Sequence, residues 1–90
     1  MILSLLGLDI GTTGTKAIVF DLEGDIISQA YREYPLIHPQ PGWIELDPVI
    51  VWEKIKEAIR EASAGVNTDP IRALSISTQG EAFVPISRDR

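Results

Sequence analysis

The stretch GLDIGTTGTK, residues 7–16, follows an apolar run and sets two further glycines and three threonines beside a single carboxylate, Asp9. A segment of this kind exposes backbone N–H groups and hydroxyls, the donors that bind a phosphate. Spacing tests two common phosphate loops. The P-loop requires G-x-x-x-x-G-K-[ST], whereas Lys16 follows Thr15 rather than a glycine. The dinucleotide fingerprint requires G-x-G-x-x-G followed by a helix, whereas TKAIVFD (15–21) has the apolar run of a strand. Neither fits. What is left is a hairpin: a strand, a tight Gly/Thr turn, and a second strand.

Gly11 and Gly14 let a backbone approach closely, and successive N–H groups in such a turn form an anion nest. Thr12, Thr13 and Thr15 offer hydroxyls. Lys16 adds a point charge, or points to solvent from the second strand. Asp9 repels a bare phosphate, so a cation between them is implied. Magnesium held largely through waters, by one carboxylate and the phosphate oxygens, is the expected form. A carboxylate within an apolar strand is costly unless it has a partner or a task. The plainer alternative is a Gly/Thr-rich turn with no ligand.

Outward from the hairpin, LSLLGLDI (3–10) reads as a strand buried on both faces, because its apolar residues run almost without interruption. The second strand spans 15–21, and DLEGD (21–25) supplies a turn in which Gly24 is free to take positive φ. Residues 26–34 form a third strand, polar enough to lie at a sheet edge. PLIHPQPGW (35–43) is an extended connection, and its His38 has no partner at catalytic or ligand spacing. Asp47 then Pro48 is a helix start, a capping side chain followed by proline at the first helical position. A helix is predicted over 48–64, with Trp52, Ile55, Ile59 and Ala62 on its apolar side and Gly65 as a left-handed C-terminal cap. Trp43 and Trp52 are expected to pack the loop and helix onto the sheet. Strands at 71–77 and 82–87, joined by the TQGE turn (78–81), complete the order β-β-β-α-β-β. One helix covers one face of a sheet, so the other face needs a cover from a second copy or from a longer chain.

The chain has 90 residues and a net charge of −5, which disfavours binding to nucleic acid or to an anionic membrane. No cysteine is present, so disulfides, thiolate metal sites and a cysteine nucleophile are excluded, and a cytoplasmic setting is expected. MILSLLGLD lacks the basic leading region of a signal peptide, and no run reaches the length of a membrane span.

LGLDIGTTGTKAIVFD resembles the first phosphate motif of the actin-like ATPase superfamily. PGWIELDP (41–48), VWEKIKEAI and IRALSISTQGEAFVPIS extend the likeness, in this order, to the FGGY family of carbohydrate kinases. The resemblance implies an α/β, ribonuclease H-like (actin-like ATPase) fold with a mixed sheet, of which residues 1–90 form the first part. The rest of that domain and a C-terminal domain would lie outside the 90 residues. It implies a kinase transferring the γ-phosphate of ATP to a ketose, polyol or sugar acid, xylulokinase-like as a first reading. Its partners would be that substrate and the remainder of the chain, in a parent able to form a homodimer.

By position, Asp9 would bind Mg2+, and Gly11, Thr12, Thr13, Gly14 and Lys16 would surround the ATP phosphates. Gln79, Gly80 and Glu81 would meet the substrate, Glu81 accepting from two hydroxyls. Gly80 departs from relatives that carry a side chain there, which leaves the substrate open. The family's general base is an aspartate further downstream, so the 90 residues alone are expected to be inactive. Two other readings compete: a stand-alone nucleotide- or phosphate-binding module without catalysis, and a piece of an actin- or chaperone-like ATPase.

Overall fold

The computed structural model describes residues 3–38, 40–42, 46–66 and 71–78. Three strands come first: β1 (Ser4–Ile10), β2 (Gly14–Asp21) and β3 (Ile26–Glu33). Helix α1 (Pro48–Ala64) and strand β4 (Ile71–Thr78) follow. The expected strand at 82–87 lies outside the described residues, as does Trp43. Among the described strands the sheet order is β3-β2-β1-β4, which puts β3 at an edge of this set, as its polar pattern implies. β1 and β2 pair antiparallel, as do β2 and β3, while β1 and β4 run parallel. The sheet is therefore mixed.

Helix α1 packs on β2 and β3. Beneath it lie Leu6 and Leu8 of β1, Ala17 and Val19 of β2, and Ala30 of β3, all buried, against Ile55, Ala58 and Ala62 of the helix. Alternation then sends Leu5, Gly7 and Asp9 of β1, with Lys16, Ile18 and Phe20 of β2, to the opposite or front face. That face is open: Leu5 is 40% exposed. Among the described residues α1 covers one side of β1 and the other stands open, as expected of a sheet with a single helix. Even on the helix side the cover is partial, because Leu74 and Ile76 of β4, in register with Leu6 and Leu8, remain more than half exposed.

The helix begins as the sequence dictates. The Asp47 carboxylate accepts the Val49 N–H at 2.9 Å, and Pro48 fills the first turn. Its end differs from expectation. Gly65 has φ −79° and ψ −1°, a right-handed conformation; its N–H donates to the Ala62 carbonyl at 3.3 Å, and the Val66 N–H donates to the Ser63 carbonyl at 3.0 Å. Glycine is needed there for room, because a Cβ would strike the Ser28 hydroxyl and come within 3.0 Å of Ser28 Cβ. Trp52 also departs from expectation, being 56% exposed with the Lys56 ammonium 5.7 Å from its ring centroid. The fully buried Ala58 and Ala62 bring the helix close to the sheet, so the bulky indole is left on the flank. Gly24 takes φ +92°, as its turn requires, and the Asp21 carboxylate closes that turn on the Glu23 and Asp25 N–H groups at 2.9 Å.

Candidate functional site

The register brings one row of side chains together across the front face. Lys16 on β2 lies opposite Asp9 on β1, which in turn lies opposite Ser77 on β4. Tyr31 of β3 extends the row beyond Lys16. One step further down, Gly7 faces Ile18 and Ser75. Gly7, Leu8, Asp9, Lys16, Ile18, Ser75 and Ser77 line an open groove of ≈ 200 Å³. Gly7 provides its floor, with no side chain to fill it.

Asp9 and Lys16 are both exposed, and neither is part of an ion pair among the described residues. Asp9 therefore bears no burial cost of the kind expected of a carboxylate within an apolar strand: it faces the groove. It stands near the C-terminal end of β1, and β1 and β4 are parallel strands with Ile10 and Thr78 in register at their ends. Open sheets bind ligands at the carboxyl ends of parallel strands. The loop carrying Gly11, Thr12 and Thr13 leaves one of these ends. Gln79, Gly80 and Glu81 follow the other in sequence and lie outside the described residues.

Within the loop, the Gly11 N–H donates to the Gly14 carbonyl at 2.9 Å, so it is occupied inside the hairpin. Thr12 and Thr13 are exposed, and their N–H groups make no backbone hydrogen bond among the described residues. Thr15 is corrected as a hydroxyl donor to phosphate. It is fully buried on the helix side, and its hydroxyl donates to the Asp9 carbonyl at 2.9 Å, tying β2 to the strand that carries the carboxylate. Gly14 is a glycine for a local reason. A Cβ there would come 2.6 Å from Tyr31 Cζ and 2.7 Å from the Arg32 carbonyl.

Two residues of β3 and its end support the site without having stood out in the sequence. Tyr34 is buried, and its hydroxyl lies 2.7 Å from the Gly11 carbonyl and 2.8 Å from that of Gly14. Burial pushes the phenol above its ordinary range, with Tyr31 and Asp9 acting the same way, so it remains a protonated donor. Arg32 reaches the helix, pairing with Glu57 at 3.2 Å and Glu61 at 2.6 Å. The Glu61 hydrogen bond, opposed by desolvation and reinforced by Glu57, raises the guanidinium above its usual value. The signal for both is parity: Ala30, Arg32 and Tyr34 alternate on the helix side of the strand. A second acidic group, Asp21, Glu23 and Asp25, gathers at the β2–β3 turn, where Asp21 already serves the turn's own N–H groups.

Known proteins share this fold. The chain is 48% identical over 82 residues to the glycerol kinase of Paracidovorax citrulli (strain AAC00-1), covering 89% of this chain and 16% of that protein. Gluconate kinase from Lactobacillus acidophilus superposes with a TM-score of 0.80 at 30% identity, covering 88% of this chain and 16% of that one. The ligand-bound xylulose kinase of the same organism superposes at 0.78 with 32% identity, over 84% and 15% of the two chains. The chain therefore spans about one-sixth of the length of these relatives. The model for the N-terminal domain of the FGGY family of carbohydrate kinases matches residues 4–90. On this match the chain belongs to the FGGY family of carbohydrate kinases, and its mixed sheet is the first part of their actin-like ATPase fold.

Proposed function

We propose that this chain is the nucleotide-phosphate side of an ATP-dependent kinase acting on a small polyhydroxylated acceptor. The observation that carries the reading is Asp9 facing Lys16 across β1 and β2, unpaired among the described residues, at the mouth of the Thr12–Thr13 loop. An exposed carboxylate, a groove floored by glycine and two loop N–H groups with no backbone hydrogen bond among the described residues suit magnesium held through water together with phosphate oxygens. When bound, the ion would neutralise charge developing on the transferring phosphoryl group.

The protein's part is positioning. Thr12 and Thr13 would donate N–H groups and hydroxyls to the β- and γ-phosphates, with Gly11 and Gly14 shaping the turn. Lys16 would add positive charge on the groove wall, and Asp9 would hold the hydrated ion. Gln79, Gly80 and Glu81 would contact the acceptor, Glu81 taking hydrogen bonds from two hydroxyls. Phosphoryl transfer also needs a base for the nucleophile. We assign that base to residues outside these 90, so the isolated 90-residue polypeptide is inactive in this reading.

The acceptor is a polyol, ketose or sugar acid. Xylulose is our first candidate, and the names of the relatives put glycerol and gluconate beside it. The test is ATP turnover by the full-length protein against a panel of these acceptors. ADP release that depends on one of them supports the proposal. ATP hydrolysis indifferent to every acceptor sinks it in favour of a simple ATPase, and binding without any turnover favours a nucleotide-binding module.

A further inference from the structure

We propose that Tyr34 is the positioning residue that sets which way the phosphate loop presents its N–H groups. The proposal rests on the nucleotide reading above and names a device within that site. Three contacts run from this one residue into the loop. Its hydroxyl lies 2.7 Å from the Gly11 carbonyl and 2.8 Å from the Gly14 carbonyl, and its N–H donates to the Thr13 carbonyl at 3.1 Å. The hydroxyl has one hydrogen, so the two carbonyls share it.

The consequence follows from peptide planarity. No described peptide bond is cis. In a trans peptide the C=O of one residue and the N–H of the next point in opposite directions. With the Gly11 carbonyl drawn to the hydroxyl, the Thr12 N–H points away from Tyr34. With the Thr13 carbonyl drawn to the Tyr34 N–H, the Gly14 N–H likewise turns from the end of β3. The loop's own hydrogen bond, from the Gly11 N–H to the Gly14 carbonyl, engages neither of these two planes, and the flanking glycines leave them free to turn. Tyr34 is anchored, because it is buried and follows a strand whose Arg32 is paired to two carboxylates of α1. It thus transmits the fixed sheet–helix packing to an exposed loop. Phenylalanine would keep the ring, leave the Gly11 carbonyl without its partner, and free the first of these planes to turn.

The experiment is calorimetric titration of the full-length protein and its Tyr34→Phe variant with Mg-ADP, AMP and acceptor. Tyr34→Phe should weaken Mg-ADP about tenfold, the loss of one buried hydrogen bond, and leave AMP and acceptor unchanged. In steady state the rise should fall on the KM for ATP, with the KM for acceptor unmoved. Incorporation of 3-fluorotyrosine at position 34 retains ring and hydroxyl, and should restore wild-type affinity. Equal Mg-ADP affinity in wild type and Tyr34→Phe overturns the proposal. So does a loss shared by Mg-ADP, AMP and acceptor, which marks general loosening, or an unfolded variant that the fluorinated residue does not rescue. A wild-type protein with no affinity for Mg-ADP removes the nucleotide reading and this device with it, and the wild-type titration alone distinguishes that case.

Discussion

Gly14→Ala tests whether the loop's second glycine is set by the ligand or by the fold. The added methyl would sit 2.6 Å from Tyr31 Cζ and 2.7 Å from the Arg32 carbonyl. Tyr31 is 47% exposed and its ring can swing aside, but the Arg32 carbonyl belongs to the backbone of β3 and cannot. The β2–β3 ladder must spread, and overpacking of this kind costs about 1–3 kcal/mol. Amide exchange in β2 and β3 of the full-length protein should accelerate roughly 5- to 150-fold, where exchange reports local opening. Gly11→Ala is the matched control. Its methyl meets only the Gly14 carbonyl at 3.2 Å, so its effect should be much smaller. Adding Tyr31→Ala to Gly14→Ala should recover part of the loss and not all of it. If Gly14→Ala matches Gly11→Ala, or Tyr31→Ala recovers everything, the clash with the Arg32 carbonyl is not what demands glycine.

Three further outcomes are expected. Asp9→Asn should cut the Mg2+-dependent turnover of the full-length protein by about two orders of magnitude, since charge stabilisation worth several kcal/mol is lost; wild-type rates in steady-state kinetics would remove Asp9 from the metal's shell. Asp47→Ala should weaken the first turn of α1 by about 1 kcal/mol, while Asn at the same position restores it, read from exchange of the Val49 and Val51 amides. Arg32→Met should lower the melting temperature at low salt by an amount that shrinks as salt rises, because its partners Glu57 and Glu61 are partly exposed. A deficit insensitive to salt would point to packing of the side-chain stem instead.

Much of the fold was legible in the sequence because its signals are local. The apolar runs of β1 and β2, the Asp47–Pro48 start and the Gly24 turn each state their own conformation. The polar character of β3 placed it at an edge, where the sheet has it. Features set by close approach were not legible. Gly65 looks like a left-handed cap until Ser28 is seen beneath it, and Trp52 looks like core until two alanines fix the helix's height. In the site, Asp9 and Lys16 came from one motif. Thr15 belongs to the same string of hydroxyls, yet strand parity turns it inward. Tyr34 reaches the loop only through pairing of β2 with β3, 20 residues along the chain from Gly14.

The position of β4 also governs the order in which the sheet can assemble. β1, β2 and β3 are joined by short turns, and their pairing closes only small loops. β4 pairs instead with the first strand of the chain, Leu8 with Ile76, after the whole helix has intervened. Closing that long loop costs entropy before any ladder contact offsets it. The three-strand meander, capped by α1, can form from near neighbours, whereas β4 must dock on an edge already built. Ser77 arrives with β4, so among the described strands the wall of the groove beside Asp9 depends on the pairing that closes the longest loop.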